Sequence, residues 1–196
     1  MVSVNSTMLA LGTPAPDFDL VDAVSGENFS LESFKGKAGV LIMFISRHCP
    51  YVKHIEDELA KIGADYGDKV SIVAIGSNPQ ETYPDDAPEM LKEQAERCGF
   101  NFPYLYDGAT QEAALAYTAA CTPDFFLFDE QAKLYYRGQL DGSRPRGENQ
   151  PPVTGEDLRA ALDQLLSGAD APETQIPSLG CNIKWAEGKA PTYFNH

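Results

Sequence analysis

Gly39-Val-Leu-Ile-Met-Phe-Ile-Ser-Arg-His-Cys-Pro-Tyr-Val52 is the stretch on which the fold turns. Residues 39–45 carry no polar alternation, the pattern of a strand covered on both faces in a parallel sheet. Beyond Arg47-His48-Cys49-Pro50, apolar side chains recur at Val52, Ile55, Leu59, Ile62 and Tyr66. That three-and-four spacing predicts an amphipathic helix. Pro50 suits its first position, where a missing N–H costs no intrahelical bond. Residues 70–75 read as a second strand after a short connection at Gly67 and Asp68, completing a strand-helix-strand unit with parallel strands.

This arrangement sets Cys49 where a buried strand hands over to a helix. Unpaired amides and the positive end of the helix dipole converge there, and both favour a thiolate. Arg47 and His48 just before it are further sources of positive charge. The plainer alternative is a small residue capping a helix, but the local chemistry is that of a reactive thiol.

The chain has 196 residues, 43% of them hydrophobic, with no mid-sequence change of composition. We expect one domain over residues 1–168 and a C-terminal tail, 169–196, packed on it. A net charge of -14 opposes nucleic acid and anionic membrane surfaces, so neither is an expected partner. The N-terminal residues lack both the basic and the apolar part of a secretory signal, which leaves the cytoplasm as the expected location. The cysteines Cys49, Cys98, Cys121 and Cys181 form no CxxC pair, and the histidines are few and scattered. No metal or cofactor is expected.

Downstream, residues 88–98 predict a helix opened by Pro88 and stopped at Gly99. Residues 111–120, rich in alanine, predict another. Residues 125–128 and 133–137 flank a turn-like segment and predict an antiparallel hairpin, so the sheet is mixed. Thr154-Gly-Glu-Asp157 resembles a capping box ahead of a last helix that runs to Gly168. The loop 139–152 and the tail show no period. Cys98 falls in register with Leu91 and Ala95 and is expected to be an inert core residue. His54 is expected to be an exposed partner of Glu58, Arg137 to decorate an edge strand, and the acidic residues 83–87 to open the following helix.

The sequence resembles the alkyl hydroperoxide reductase and thiol-specific antioxidant group of the thioredoxin superfamily, in particular its peroxiredoxin-like branch. The likeness rests on Gly12-Thr-Pro-Ala-Pro-Asp-Phe18, on residues 44–52, on Thr122-Pro-Asp-Phe-Phe-Leu-Phe128, on Tyr136-Arg-Gly138 and on Pro177-Ser-Leu-Gly-Cys-Asn-Ile-Lys-Trp185. It implies an α/β thioredoxin fold: a central mixed sheet flanked by helices, with an N-terminal extension and an irregular C-terminal tail. It also implies a cis bond at Thr122-Pro123 beside Cys49, with Ser46, Arg47, His48 and Pro50 as active-site neighbours.

The sequence departs from the group in three places. Val52 stands where thioredoxins carry their second motif cysteine, which argues against dithiol reduction within this motif. Ile42 stands where peroxiredoxins carry a proline. Thr122-Pro123 replaces the peroxidase arginine, which weakens the case for efficient peroxide reduction by that group's route.

The resemblance implies a thiol-disulfide oxidoreductase or weak thiol peroxidase acting through Cys49. Its substrate would be a peroxide or a protein disulfide, and its reductant a thioredoxin or glutathione system. A reversible cycle needs a resolving thiol. Cys121 is one candidate because the resemblance places its loop against the Cys49 helix, Cys181 is another because the tail can reach across a surface, and an external thiol is the third. The competing readings are a redox sensor or peptide-binding module without turnover, and a permanent Cys49–Cys181 bond that pins the tail.

Overall fold

The computed structural model describes residues 3–147 and 149–194; His196 and the other terminal residues of the expected domain boundaries lie outside these. Strands β1 (Ser3–Asn5), β2 (Asp19–Asp22) and β3 (Asn28–Ser30) precede β4 (Gly39–Phe44), helix α1 (Pro50–Tyr66) and β5 (Ser71–Gly76). Helix α2 (Pro88–Cys98), β6 (Tyr104–Tyr106) and α3 (Glu112–Ala116) follow. Then come β7 (Cys121–Thr122), β8 (Asp124–Asp129), β9 (Leu134–Tyr136), α4 (Glu156–Ser167) and β10 (Leu179–Asn182).

The main sheet has seven strands in the order β3-β2-β6-β5-β4-β8-β9. β4 pairs parallel with β5, and β5 with β6, while β8 and β9 run antiparallel, which makes the sheet mixed. β4 lies inside it, and this explains its uninterrupted apolar run. Leu41, Met43 and Ile45 face one core with α1, α2 and α4, whereas Val40, Ile42 and Phe44 face a second core built on Tyr117, Phe126 and Phe128. Helix α1 buries Val52, Ile55, Leu59 and Ile62 against the first core. Each such side chain contributes about 1.5–3 kcal/mol.

Helix α3 is much shorter than the expected 111–120. Gln111 and Thr118 both take left-handed backbone angles, φ 61° and 51°, and bracket it. Alanine-rich sequence favours helix only weakly against such tertiary demands. The expected capping box at 154–157 is absent. Gly155 at φ 68° begins α4, and Asp141 Oδ2 accepts the backbone N–H groups of Thr154 and Gly155, each at 2.8 Å.

The tail contributes a strand that no local pattern announced. β10 runs antiparallel between β1 and β7, with Cys181 opposite both Ser3 and Thr122. Ile183, just beyond it, is fully buried in the second core. The backbone of Lys184 is held on both sides: its N–H donates to Asn78 Oδ1 at 2.8 Å, and its carbonyl accepts from Gln111 Nε2 at 2.8 Å. Residues 179–184 of the tail are thus part of the packed body.

Candidate active site

Cys49 is the N-cap residue of α1, with extended backbone angles, and Pro50 takes the first helical turn. Its carbonyl accepts the N–H of Lys53 at 3.0 Å, and its own N–H closes a turn on the carbonyl of Ser46 at 3.3 Å. The thiol donates to the carbonyl of Thr122 at 3.1 Å, and Thr122-Pro123 is a cis peptide. Helix start and proline-bearing loop therefore meet on one sulfur.

The Cys181 thiol hydrogen-bonds to that sulfur and is the largest cause holding the Cys49 pKa down at about 6. Burial opposes the shift, while the Thr122 side chain and the backbone of Val52 at the helix start add to it. In the same pairing the Cys181 pKa is pushed well up, first by its bond to Cys49 and then by burial. The direction follows from place: Cys49 sits at a helix N-terminus and Cys181 on a strand. Of the pair, Cys49 loses its proton first. Both residues are buried, Cys49 at 0% exposure and Cys181 at 3%.

Cys121 lies next to Thr122 in β7, but its thiol points elsewhere. It meets the carbonyls of Pro123 at 3.4 Å and Ser178 at 3.9 Å, and burial followed by the nearby Asp124 raises its pKa. The structure brings Cys181, not Cys121, onto Cys49. Cys98 is half-buried at the rim instead of in the core, and burial together with Glu56 raises its thiol to about 11, which keeps it protonated at neutral pH.

Three neighbours of Cys49 are tied to acidic residues. Arg47 spans Glu93 at 3.2 Å and Asp85 at 3.7 Å. His48 Nδ1 lies 2.6 Å from Asp86 Oδ2, and its ring stacks on Tyr83. Ser46 Oγ donates to both Asp86 oxygens at 3.1 and 3.0 Å. Asp86 carries a role that its place in an acidic run does not announce: it is 1% exposed and also accepts from Asn78 Nδ2 at 2.6 Å. Burial alone would raise its pKa, but the bond and charge of His48, with Asn78 and Ser46, outweigh it and hold the carboxylate below its ordinary value.

Two other expectations are corrected. Arg137 does not decorate an edge: it is fully buried, bonded to Asp124 at 3.2 Å, with its guanidinium 4.3 Å above the Phe126 ring. His54 bonds Ser143 Oγ at 2.8 Å through Nε2, while the buried Glu58 pairs with Arg159 at 2.7 Å and Lys61 at 3.3 Å. Among the described residues no group of three or more His, Cys, Asp or Glu side chains could hold a metal ion, and no helix is long and apolar enough to cross a membrane.

Known proteins share this fold. An uncharacterized conserved protein from Geobacillus kaustophilus superposes with a TM-score of 0.91 at 53% identity, over 96% of this chain and 98% of that one. The thioredoxin domain of a thiol-disulfide oxidoreductase from Bacteroides vulgatus shares the fold at a TM-score of 0.59 and 20% identity, over 79% of this chain and 99% of that one. The thioredoxin-like protein YneN of Bacillus subtilis is 29% identical over 123 residues, 63% of this chain and 68% of that protein. The redoxin family's sequence profile matches residues 10–154. With a thioredoxin fold around an acidic cysteine and a family match over most of its length, the chain belongs to the redoxin family and is a thioredoxin-like redox protein.

Proposed function

We propose that this protein is a two-cysteine thiol oxidoreductase in which the Cys49 thiolate is the nucleophile and Cys181 resolves the oxidised product. The carrying observation is the hydrogen bond between the two thiols at the N-terminus of α1. The Cys49 thiolate attacks the terminal oxygen of a hydroperoxide, or one sulfur of a disulfide, and the other half departs and takes up a proton. With peroxide the product is Cys49–SOH. Cys181–SH then attacks its sulfur, the S–O bond breaks, the thiol proton joins the departing hydroxide as water, and Cys49–S–S–Cys181 remains. An external thioredoxin or glutathione system returns both thiols.

The low pKa of Cys49 gives a high thiolate fraction at neutral pH. The backbone of Cys121–Thr122 is already paired with β10, which disfavours the competing reading of a peptide-binding module. Peroxide consumption coupled to thioredoxin or to glutathione tests the proposal. Turnover abolished by Cys49→Ser, and a dimedone-reactive sulfenic acid accumulating in Cys181→Ser, are the expected results. A reactive Cys49 without turnover under either reductant would favour a sensor, and a Cys49–Cys181 bond that resists reduction would favour a structural pin.

A further inference from the structure

A cavity of about 590 Å³ opens between β1 and the helical turn Thr192–Phe194. Residues 3–7, Ala120 and Leu179 line it together with Tyr193 and Phe194, and among the described residues neither Cys49, Pro123 nor Cys181 does so. Its walls are held in place. The Ser6 N–H donates to the Ser178 carbonyl at 2.8 Å, Thr7 Oγ1 donates to the Thr118 carbonyl at 2.9 Å, and the Tyr193 hydroxyl donates to the Ala119 carbonyl at 3.3 Å. Trp185 packs edge-on against the Tyr193 ring, centroids 6.4 Å apart. The volume falls in the range of pre-formed small-molecule sites.

The lining states what fits. No charged side chain is among the described residues that face the cavity, and the neighbouring Arg137–Asp124 pair neutralises itself at 3.2 Å. An ion entering here would shed water without meeting a counter-charge, so the occupant is uncharged. Val4, Ala120, Leu179 and the two aromatic rings offer apolar and π surface. One polar group stands ready: Ser6 is 6% exposed, and its hydroxyl has no hydrogen-bond partner among the described residues. Burial raises the Asp124 pKa, and Arg137 first and Ser6 among others oppose the rise, which makes Ser6 a neighbour of that carboxyl. Yet Asp124 Oδ1 is without a partner as well. A buried hydroxyl left in this condition is costly, and a ligand oxygen would relieve it.

We propose that this cavity is a binding site for a small, uncharged aromatic alcohol or ketone, which lays its ring against Tyr193 and Phe194 and hydrogen-bonds to Ser6 Oγ. The site goes beyond the two-cysteine reading and does not depend on it. A protein strand added to the open edge of β1 is the rival occupant, but that edge is only three residues long and offers a partner few ladder bonds. The site also shares β10 with Cys181, because Leu179 opens that strand.

The test uses the full chain with 4-propylphenol, its anionic analogue 4-propylbenzoate, and propylbenzene, which lacks the hydroxyl. Binding is read by titration calorimetry and by the emission of Trp185, the single tryptophan and a contact of Tyr193. 4-Propylphenol should bind saturably, with a dissociation constant on the order of tens of micromolar. 4-Propylbenzoate should bind at least about tenfold more weakly. Ser6→Ala should weaken 4-propylphenol by about fivefold to tenfold and leave propylbenzene within about twofold. Val4→Trp, read by calorimetry, fills the cavity and should abolish binding of both; if that variant does not fold, Ser6→Ala with the two neutral ligands decides alone. Absence of saturable 4-propylphenol binding, equal affinity for the anion, an equal loss for both neutral ligands in Ser6→Ala, or affinity unchanged in Ser6→Ala overturns the proposal.

Discussion

Gly180 lies so close to Thr122 that a Cβ on it would stand 2.1 Å from the Thr122 carbonyl oxygen, the same oxygen that accepts the Cys49 thiol. Only glycine lets the strand carrying Cys181 approach the proline-bearing loop at this distance. Gly180→Ala must push β10 away. We expect a stability loss of about 1–3 kcal/mol in urea denaturation, and an apparent Cys49 pKa, read from alkylation against pH, that climbs from about 6 toward the ordinary thiol value. An unchanged alkylation profile in the folded variant would show that the Cys181 thiol does not set the acidity of Cys49.

Stability should follow the pair's titration. The folded Cys49 pKa of about 6 lies below that of a free thiol, about 8.5, so between these values the unfolded chain binds more protons and stability rises with pH. Cys181 is shifted the other way: above the free-thiol range the folded chain retains its proton and stability falls again. The Cys49 contribution is fully present above about pH 8.5 and lost as pH falls through about 6. Denaturant midpoints across pH 5–10 should show this rise and fall, and Cys49→Ser should flatten the lower limb.

The polarity of the pair predicts where a reductant attacks. In thiol-disulfide exchange the sulfur with the lower pKa leaves faster. An incoming thiolate should therefore attack Cys181 and release the Cys49 thiolate at the start of α1. A thioredoxin whose second active-site cysteine is replaced by serine should be trapped on Cys181, as read by peptide mass mapping. Trapping on Cys49 would reverse the assigned leaving group.

The Arg137–Asp124 pair is fully buried and far from a mere surface decoration. Arg137→Met leaves an uncompensated carboxylate beneath the second core and should cost about 3–5 kcal/mol. Thermal unfolding of Arg137→Met, alongside Arg137→Met/Asp124→Asn, checks it: the double variant should recover part of the loss, while alkylation of Cys49 stays as in the wild type.

The parts legible in the sequence are those whose signal is local. The run through β4, the period of α1, the Pro88 and Gly99 punctuation of α2 and the hairpin of β8 and β9 each declare themselves within a dozen residues. The start of α1 also exposed Cys49. What was not legible depends on partners distant in the chain. Leu-Gly-Cys-Asn at 179–182 has neither alternation nor strong β-formers, and becomes a strand because residues 3–5 and 121–122 flank it. Asp86 looked like one acidic residue among several until folding brought Ser46, His48 and Asn78 to it. Arg137 next to an aromatic strand gave no sign that Asp124 would be sealed in with it.

The sandwiching of β10 between β1 and β7 has a consequence during biosynthesis. Cys49 leaves the ribosome long before Cys181, and at typical elongation rates the interval is on the order of ten seconds. Throughout it the nascent chain can fold much of its main sheet yet lacks the Cys181 thiol that meets the sulfur at the start of α1. On the two-cysteine reading the pair is complete only once β10 has been made, and a chain cut short before residue 181 would carry Cys49 without its resolving thiol.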